Sequence, residues 1–215
     1  MLMATFDFTK GISGKIGNTG FYVTKDGTQV VRSHVKPKNP RTPKQQASRA
    51  RFALVNRELR HLANAIRGGN PRDPNAYRSA IGKACKEAVA GEYPDPYIDY
   101  SKIQVASGEL QTPGYARVQY NAGARTAHFE WDSQCADAPC ADAPSRGRSH
   151  DRVFIVLHNT DMHVECTTIQ KGVRGDGKAS IELPERWKPD TTHFWLYLTT
   201  LDFQESSRSI YLKPK

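Results

Sequence analysis

The sequence predicts an α+β protein, because the spacing of its apolar residues changes along the chain. Apolar and polar residues alternate around an Asp-Gly pair near residue 26, which is typical of a β-hairpin. Two amphipathic helical segments follow, and short β-type runs recur from about residue 100 with no helix between them. Roughly seven such runs indicate an antiparallel β-sandwich of immunoglobulin or fibronectin type. We therefore expect two domains, residues 1–99 and residues 100–215.

The first predicted element is a hairpin that turns at Lys25-Asp26-Gly27-Thr28. The glycines before it could suggest a phosphate loop, but the spacing G-x-x-G-K differs from G-x-x-x-x-G-K-[ST]. We therefore assign those glycines to tight backbone geometry. After the hairpin comes the arm KPKNPRTP, residues 36–43, whose three prolines favour an extended path.

The first helix is predicted to begin at Pro43, because Thr42 can cap it and proline suits the first helical position. Gly68 and Gly69 are expected to end it. Its buried stripe is predicted to consist of Phe52, Val55, Leu59, Leu62 and Ile66.

A second helix is predicted from Pro74 to Ala90, with Asp73 as its cap. Cys85 flanks its apolar stripe, and we expect it to be a small core residue and not a nucleophile. The stripe itself contains Tyr77, Ala80, Ile81, Ala84, Ala88 and Val89.

The remaining chain has the alternation of β-strands. Trp131, Trp195 and Tyr197 are the expected large core residues of the sandwich. The predicted strands are KIQVA, ARVQYNA, TAHFEWD, RVFIVLHN, HVECTTIQ, ASIELP, HFWLYLTTLD and SIYL.

The positive charge of the protein is concentrated in one segment. Residues 1–67 contain 13 Lys and Arg residues against three acidic residues, a net charge of +10. Residues 68–215 contain 18 basic and 19 acidic residues, which brings the total to +9. A localised excess predicts a partner that carries negative charge. The residues expected to contact it are Lys36, Lys38, Arg41, Lys44, Arg49, Arg57, Arg60 and Arg67.

No motif of the sequence indicates catalysis. Cys135 and Cys140 lie in a tandem repeat, CADAP-CADAP, and nearby histidines allow a zinc site to be imagined. Their spacing is not that of a structural zinc site, so a slipped duplication is the simpler interpretation. We expect no catalytic residue, metal or cofactor.

The sequence also favours a location inside a cell. The longest apolar run, VFIVL, is far shorter than the ~20 residues that span a bilayer, and the first residues do not form a signal peptide. We therefore predict no membrane association and a place in a virion or in the bacterial cytoplasm.

Several motifs together resemble an uncharacterised domain family of Bacteroidetes and their phages. The resemblance spans nearly the whole chain, except for the CADAP repeat, and implies a hairpin and helical region followed by an immunoglobulin-like domain. It implies no activity, cofactor or catalytic residue. The motifs are G-x-x-G-K-x-G-N (Gly11 to Asn18), V-V-R (Val30 to Arg32), N-P-R-T-P-x-Q-x-x-x-R-x-x-F (Asn39 to Phe52), G-E-Y-P-x-x-x-I-D-Y-S-K (Gly91 to Lys102), S-G-E-L (Ser107 to Leu110), and a last part ending L-P-x-x-W…H-F-W-L-Y-L…S-x-S-I-Y-L.

These observations predict a non-enzymatic structural or assembly protein, such as a neck, tail or capsid-associated subunit of a phage. Its basic arm and first helix would contact neighbouring protein subunits or packaged DNA, and a homo-oligomer or larger assembly is expected. The alternative is a nucleic-acid-binding protein without sequence specificity, since the basic residues could make several phosphate contacts.

Overall fold

The computed structural model describes residues 5–7, 11–33, 39, 41–121, 123–134, 147–161 and 166–213. These residues form two helices and thirteen strands, which confirms a mixed α+β protein. Contacts divide the chain into two compact units, Met1–Thr42 and Pro43–Lys215. The predicted division between residues 99 and 100 falls inside the second unit.

The first unit is a four-stranded antiparallel sheet with its strands in chain order. The strands are β1 (Thr5–Asp7), β2 (Gly11–Ile16), β3 (Thr19–Val23) and β4 (Gln29–Ser33). The predicted hairpin is confirmed as β3–β4, in which Val23 lies opposite Gln29. Gly27 adopts a φ of 79° in the turn, and its N–H donates to the carbonyl of Thr24 over 3.0 Å.

The first helix, α1, spans Pro43–Gly68, as the sequence predicts. Val55, Leu59, Leu62 and Ile66 are buried, which confirms four members of the predicted stripe. The prediction for Phe52 is wrong, because 58% of its surface is exposed. No residue of α1 before Val55 is buried, so the first turns of the helix extend beyond the region where the helix packs.

The second helix, α2, spans Ala76–Glu87 and is shorter than the predicted 74–90. Asp73 does not cap it, since its carboxylate accepts the N–H of Asn75 in a turn that precedes the helix. The two residues after Ala88 form strand β5 (Val89–Ala90), which pairs with β6 (Tyr97–Ile98).

The last part of the chain contains seven strands in two antiparallel sheets. The three-stranded sheet has the order β11-β8-β7, with β7 (Ala116–Asn121), β8 (Thr126–Trp131) and β11 (Lys178–Glu182). The four-stranded sheet has the order β10-β9-β12-β13, with β9 (Arg152–Asn159), β10 (Cys166–Val173), β12 (Thr192–Thr199) and β13 (Ile210–Leu212). The predicted strand HVECTTIQ begins at Cys166, and its first three residues lie outside the described residues.

Two hydrophobic clusters give the second unit three layers. One cluster lies between the sheets, where Phe129 and Trp131 of β8 meet strands β9 and β12. The other joins the opposite side of the four-stranded sheet to α1 and α2, and it includes Trp195 and Tyr197 of β12. The predicted burial of Trp131, Trp195 and Tyr197 is confirmed.

The predicted strand KIQVA is wrong, although Ile103, Val105 and Ala106 are buried as a strand would require. The segment follows a short 3₁₀ turn and is held mainly by side chains. Trp195 donates its indole N–H to the carbonyl of Ile103, and Ser209 accepts the N–H of Val105, each over 3.0 Å. Such bonds satisfy buried backbone groups without a strand ladder.

Candidate functional site

The predicted basic residues of α1 all lie on its exposed surface. Arg49, Arg60 and Arg67 are exposed, in agreement with a helical position roughly 100° from the buried stripe. Lys44 and Arg57 are exposed as well. Arg41 belongs to the first unit and is exposed there, whereas Lys36 and Lys38 lie outside the described residues.

Arg57 and Arg67 have partners on the helices. The Nε atom of Arg57 donates to Glu58 over 2.9 Å, although the wheel places Arg57 almost opposite the stripe. The guanidinium of Arg67 lies 5.5 Å from the ring centre of Tyr77, so it joins α1 to α2 by a cation–π contact. Because Arg57 and Arg67 remain exposed, these contacts leave both groups open to solvent.

The sequence prediction missed the basic residues of α2. Arg78, Lys83 and Lys86 are exposed, while Ala76, Ile81 and Ala84 point into the core. Residues 43–87 contain ten Lys and Arg residues and three acidic residues. A helical wheel of α2 places its basic residues away from the apolar stripe, so the sequence does contain this information. The charge count stopped at residue 67 and therefore left these residues out. Both helices therefore turn a basic side away from their shared core.

Below α1 lies a half-buried cluster of aromatic and histidine side chains. Tyr100 donates its hydroxyl proton to Glu58 over 2.9 Å, and its ring stacks on that of His193 at 4.2 Å. Burial, together with the Glu58 charge, raises the pKa of Tyr100. Burial lowers the pKa of His193 to about 4, so this imidazole is neutral near pH 7. The cluster packs beneath the helix and supports it.

The sheet of the first unit has one apolar side. Register places Ile16, Phe21 and Val31 on that side, because Phe21 lies opposite Val31 and Ile16 opposite Thr19. Ile16 is 57% exposed and Val31 59% exposed. None of the side chains that the structure describes at 11–33 is buried. The sequence prediction missed this feature because alternation alone does not show what covers a face.

A polar cleft of about 340 Å³ lies where residues 70–73, 107–109 and 204–206 meet. The amide of Asn70 donates to the carbonyls of Ile66 and Val105 and accepts from the N–H and hydroxyl of Ser107, all within 2.9 Å. Arg72 and Glu205 form an ion pair at 3.1 Å beside it. The lining residues include no His or Cys, and Asn70 and Ser107 already bond to each other.

Comparison with known proteins assigns the chain to a family. A family model described as a family of unknown function (DUF6266) matches residues 11–213, so the chain belongs to that family. The curated proteins contain no match to the chain. Within the residues that the structure describes, neither helix is long and apolar enough to cross a bilayer.

Proposed function

We propose that this protein is a non-enzymatic assembly protein whose N-terminal sheet packs against the same sheet of a second copy. The observation that carries the proposal is the apolar side of the four-stranded sheet, which includes Ile16, Phe21, Val23 and Val31. None of the described side chains at 11–33 is buried. A sheet needs a packed apolar face to be stable in water. A second copy would supply that packing.

The exposed apolar residues indicate a protein partner, because large apolar side chains are less stable in water than in a packed interface. Burying one fully contributes about 1.5–3 kcal/mol. Ile16 and Val31 each retain more than half of their exposure, at 57% and 59%. Contiguous apolar surface on a sheet is typical of interfaces.

The charge distribution of this face permits a second copy as the partner. The chain carries a net charge of +9, so two copies repel each other in most orientations. The register positions on the apolar side, including Thr19, Gln29 and Ser33, carry no charge. The two faces can therefore meet without like charges opposite each other. A self-complementary patch of this type produces a two-fold symmetric interface.

Strand order supports an immunoglobulin-like interpretation of the last seven strands. If β7, β8 and β9 are named A, B and C, the next four become C′, E, F and G. The sheets then read A-B-E and C′-C-F-G, which is an immunoglobulin-type division with C′ in place of D. Such folds commonly serve recognition and assembly, an inference that rests on analogy.

The setting that we propose is a phage virion, where this chain would be a neck, tail or capsid-associated subunit in the virion or the bacterial cytoplasm. The support is the motif resemblance together with the uncovered sheet face. The non-enzymatic role is part of the same proposal.

Multi-angle light scattering of the purified chain tests the proposal. We expect a dimer, or a larger assembly built from dimers, at micromolar concentration and in high salt, because apolar contacts are not screened. The double variant Ile16→Thr and Val31→Thr should dissociate to monomers. Threonine keeps the β-branched shape that strands favour, so the sheet itself should persist.

The matched control is Tyr22→Thr, which removes an exposed apolar side chain from the opposite side of the same sheet. This variant should keep the assembly of the wild-type chain. A wild-type monomer at all concentrations would contradict the proposal, and so would an assembly that the double variant leaves intact.

A further inference from the structure

We infer that the outer side of the two helices binds the phosphate backbone of a nucleic acid without reading its sequence. This surface comprises the exposed basic side chains of α1 and α2 and shares no residue with the apolar side of the N-terminal sheet. The inference therefore goes beyond the proposed assembly role.

The positive charge of this surface is the first argument. Ten basic residues and three acidic residues occupy positions 43–87. Glu58 is buried, accepts a hydrogen bond from Tyr100 and pairs with Arg57, so it offsets the charge of that arginine. Asp73 lies in the connection between the helices, and Glu87 is the last residue of α2. The outer helix surfaces are thus almost uniformly positive.

Many of these cations have no carboxylate beside them. Among the residues that the structure describes, no Asp or Glu lies within 4.0 Å of Arg60, Lys83 or Lys86. A phosphate would not have to displace an internal ion pair from these groups. The same holds for Lys44, Arg51 and Arg78.

The length of the surface fits a polyanion. Arg49, Arg60 and Arg67 share one side of α1, and a rise of 1.5 Å per residue spreads them over about 27 Å. At about 3.4 Å per nucleotide along one strand, this length corresponds to roughly eight nucleotides. Arg78, Lys83 and Lys86 form a second, shorter row on α2.

The composition of the surface favours a nucleic acid over an acidic protein. Protein interfaces depend on a few large apolar or aromatic anchors at their centre. On the two helices Phe52 is the one large apolar side chain that is exposed, and it lies near the start of α1. Phosphate binding needs cations and no such anchors. With no row of aromatic side chains on which bases could stack, the contacts are to the backbone, so no sequence preference follows.

Fluorescence anisotropy with a labelled mixed-sequence duplex tests the inference. The wild-type chain should bind, and the logarithm of its affinity should fall linearly with the logarithm of salt concentration between about 50 and 200 mM. The triple variant Arg60→Gln, Lys83→Gln and Lys86→Gln should bind at least about tenfold more weakly at the low-salt end. Its salt slope should be smaller by about three, one for each lost phosphate contact.

A control variant removes the same charge from the three-stranded sheet, which the four-stranded sheet separates from the helices. Arg117, Lys178 and Arg186 are exposed on or beside the three-stranded sheet, and their change to glutamine should lower affinity less than about threefold. If the two variants lost equal amounts of affinity for the duplex, net charge alone would explain the binding, and the inference would be overturned. So would no binding by the wild type, or a tenfold difference between two duplex sequences.

Light scattering separates this inference from the proposed assembly role. The helix variant should keep the oligomeric state of the wild type, because its changes lie outside the N-terminal sheet. The Ile16→Thr and Val31→Thr variant should still bind the duplex with an unchanged salt slope per chain. Each proposal can thus fail while the other stands.

Discussion

Arg174 is fully buried, although charged residues are rarely found in a core without a partner. Its Nε lies 3.4 Å from Asp151 Oδ2, and its Nη2 donates to the carbonyl of Gln111 over 2.6 Å. The N–H of Arg148 donates to the same Asp151 oxygen. A Cβ at Gly147 would collide with the guanidinium, so only glycine fits there. One ion pair therefore holds together the segments around residues 111, 148 and 174.

Removing the negative partner should leave a buried charge without compensation. We expect Asp151→Asn to lower the free energy of unfolding by about 3–5 kcal/mol, as measured by urea denaturation. The matched change Glu185→Gln breaks the exposed pair with Arg125 and should cost less than about 1 kcal/mol. A loss at Asp151 no larger than that at Glu185 would show that the buried pair contributes little.

His193 gives the protein a dependence on pH. It packs on Tyr100 at 4.2 Å and bonds through Nδ1 to the hydroxyl of Tyr211 at 2.8 Å, with His158 opposite it on β9. Burial, with a contribution from the positive charge of Lys213, lowers the pKa of His193 from 6.5 to about 4. Between these values the unfolded chain takes up a proton that the folded chain does not. Stability from this residue is therefore complete above pH 6.5 and falls as the pH drops toward 4.

The loss should amount to about 2 kcal/mol after allowance for the partial exposure of the ring. Urea denaturation at pH 7 and pH 4.5 measures it, and His193→Gln should lose less stability over this interval than the wild type does. The exposed His150 provides the control, since His150→Gln should follow the wild-type curve. Parallel curves for all three proteins would refute the role of His193.

At the scale of elements, α1 shows what a helical pattern can and cannot predict. The proline at its start and the glycines after its end gave both boundaries correctly, because these signals are local. The error at Phe52 has a different origin. A helix continues wherever its backbone bonds allow, but burial depends on how far the neighbouring layer extends. That extent depends on strands more than a hundred residues away in sequence, which periodicity cannot report.

The prediction of a strand at 102–106 was wrong for a similar reason. Its alternation of apolar and polar residues is that of a strand, and its apolar residues are indeed buried. A strand forms only where a second backbone lies alongside to accept and donate hydrogen bonds. Here the side chains of Trp195 and Ser209 bond to the backbone of Ile103 and Val105 instead. The basic residues of α1 lie on its exposed side, as the helical pattern predicts, and their role in binding stays a prediction. A helical wheel of α2 would have added Lys83 and Lys86, but only the structure shows that α2 packs on the same core as α1.

At the scale of the whole molecule, the sequence predicted the element types better than their layering. Strands β9 and β12 are buried along most of their length, since helices cover one side and the second sheet covers the other. Their runs RVFIVLHN and THFWLYLT are apolar at consecutive positions, which is typical of strands buried on both faces. That signal predicts a third layer, whereas a two-layer sandwich would show cleaner alternation.

Both hydrophobic clusters lie within residues 43–215, whereas the described side chains of residues 11–33 include none that is buried. We therefore expect the chain shortened to residues 43–215 to unfold cooperatively, with a Tm within about 4 °C of the full chain at low concentration, or ~1 kcal/mol. Calorimetry at two concentrations adds the decisive comparison. The Tm of the full chain should rise with concentration, because association stabilises only the folded state, and that of the short chain should not. A short chain that fails to fold would show that the N-terminal unit contributes to the core of its own chain and not to that of an assembly.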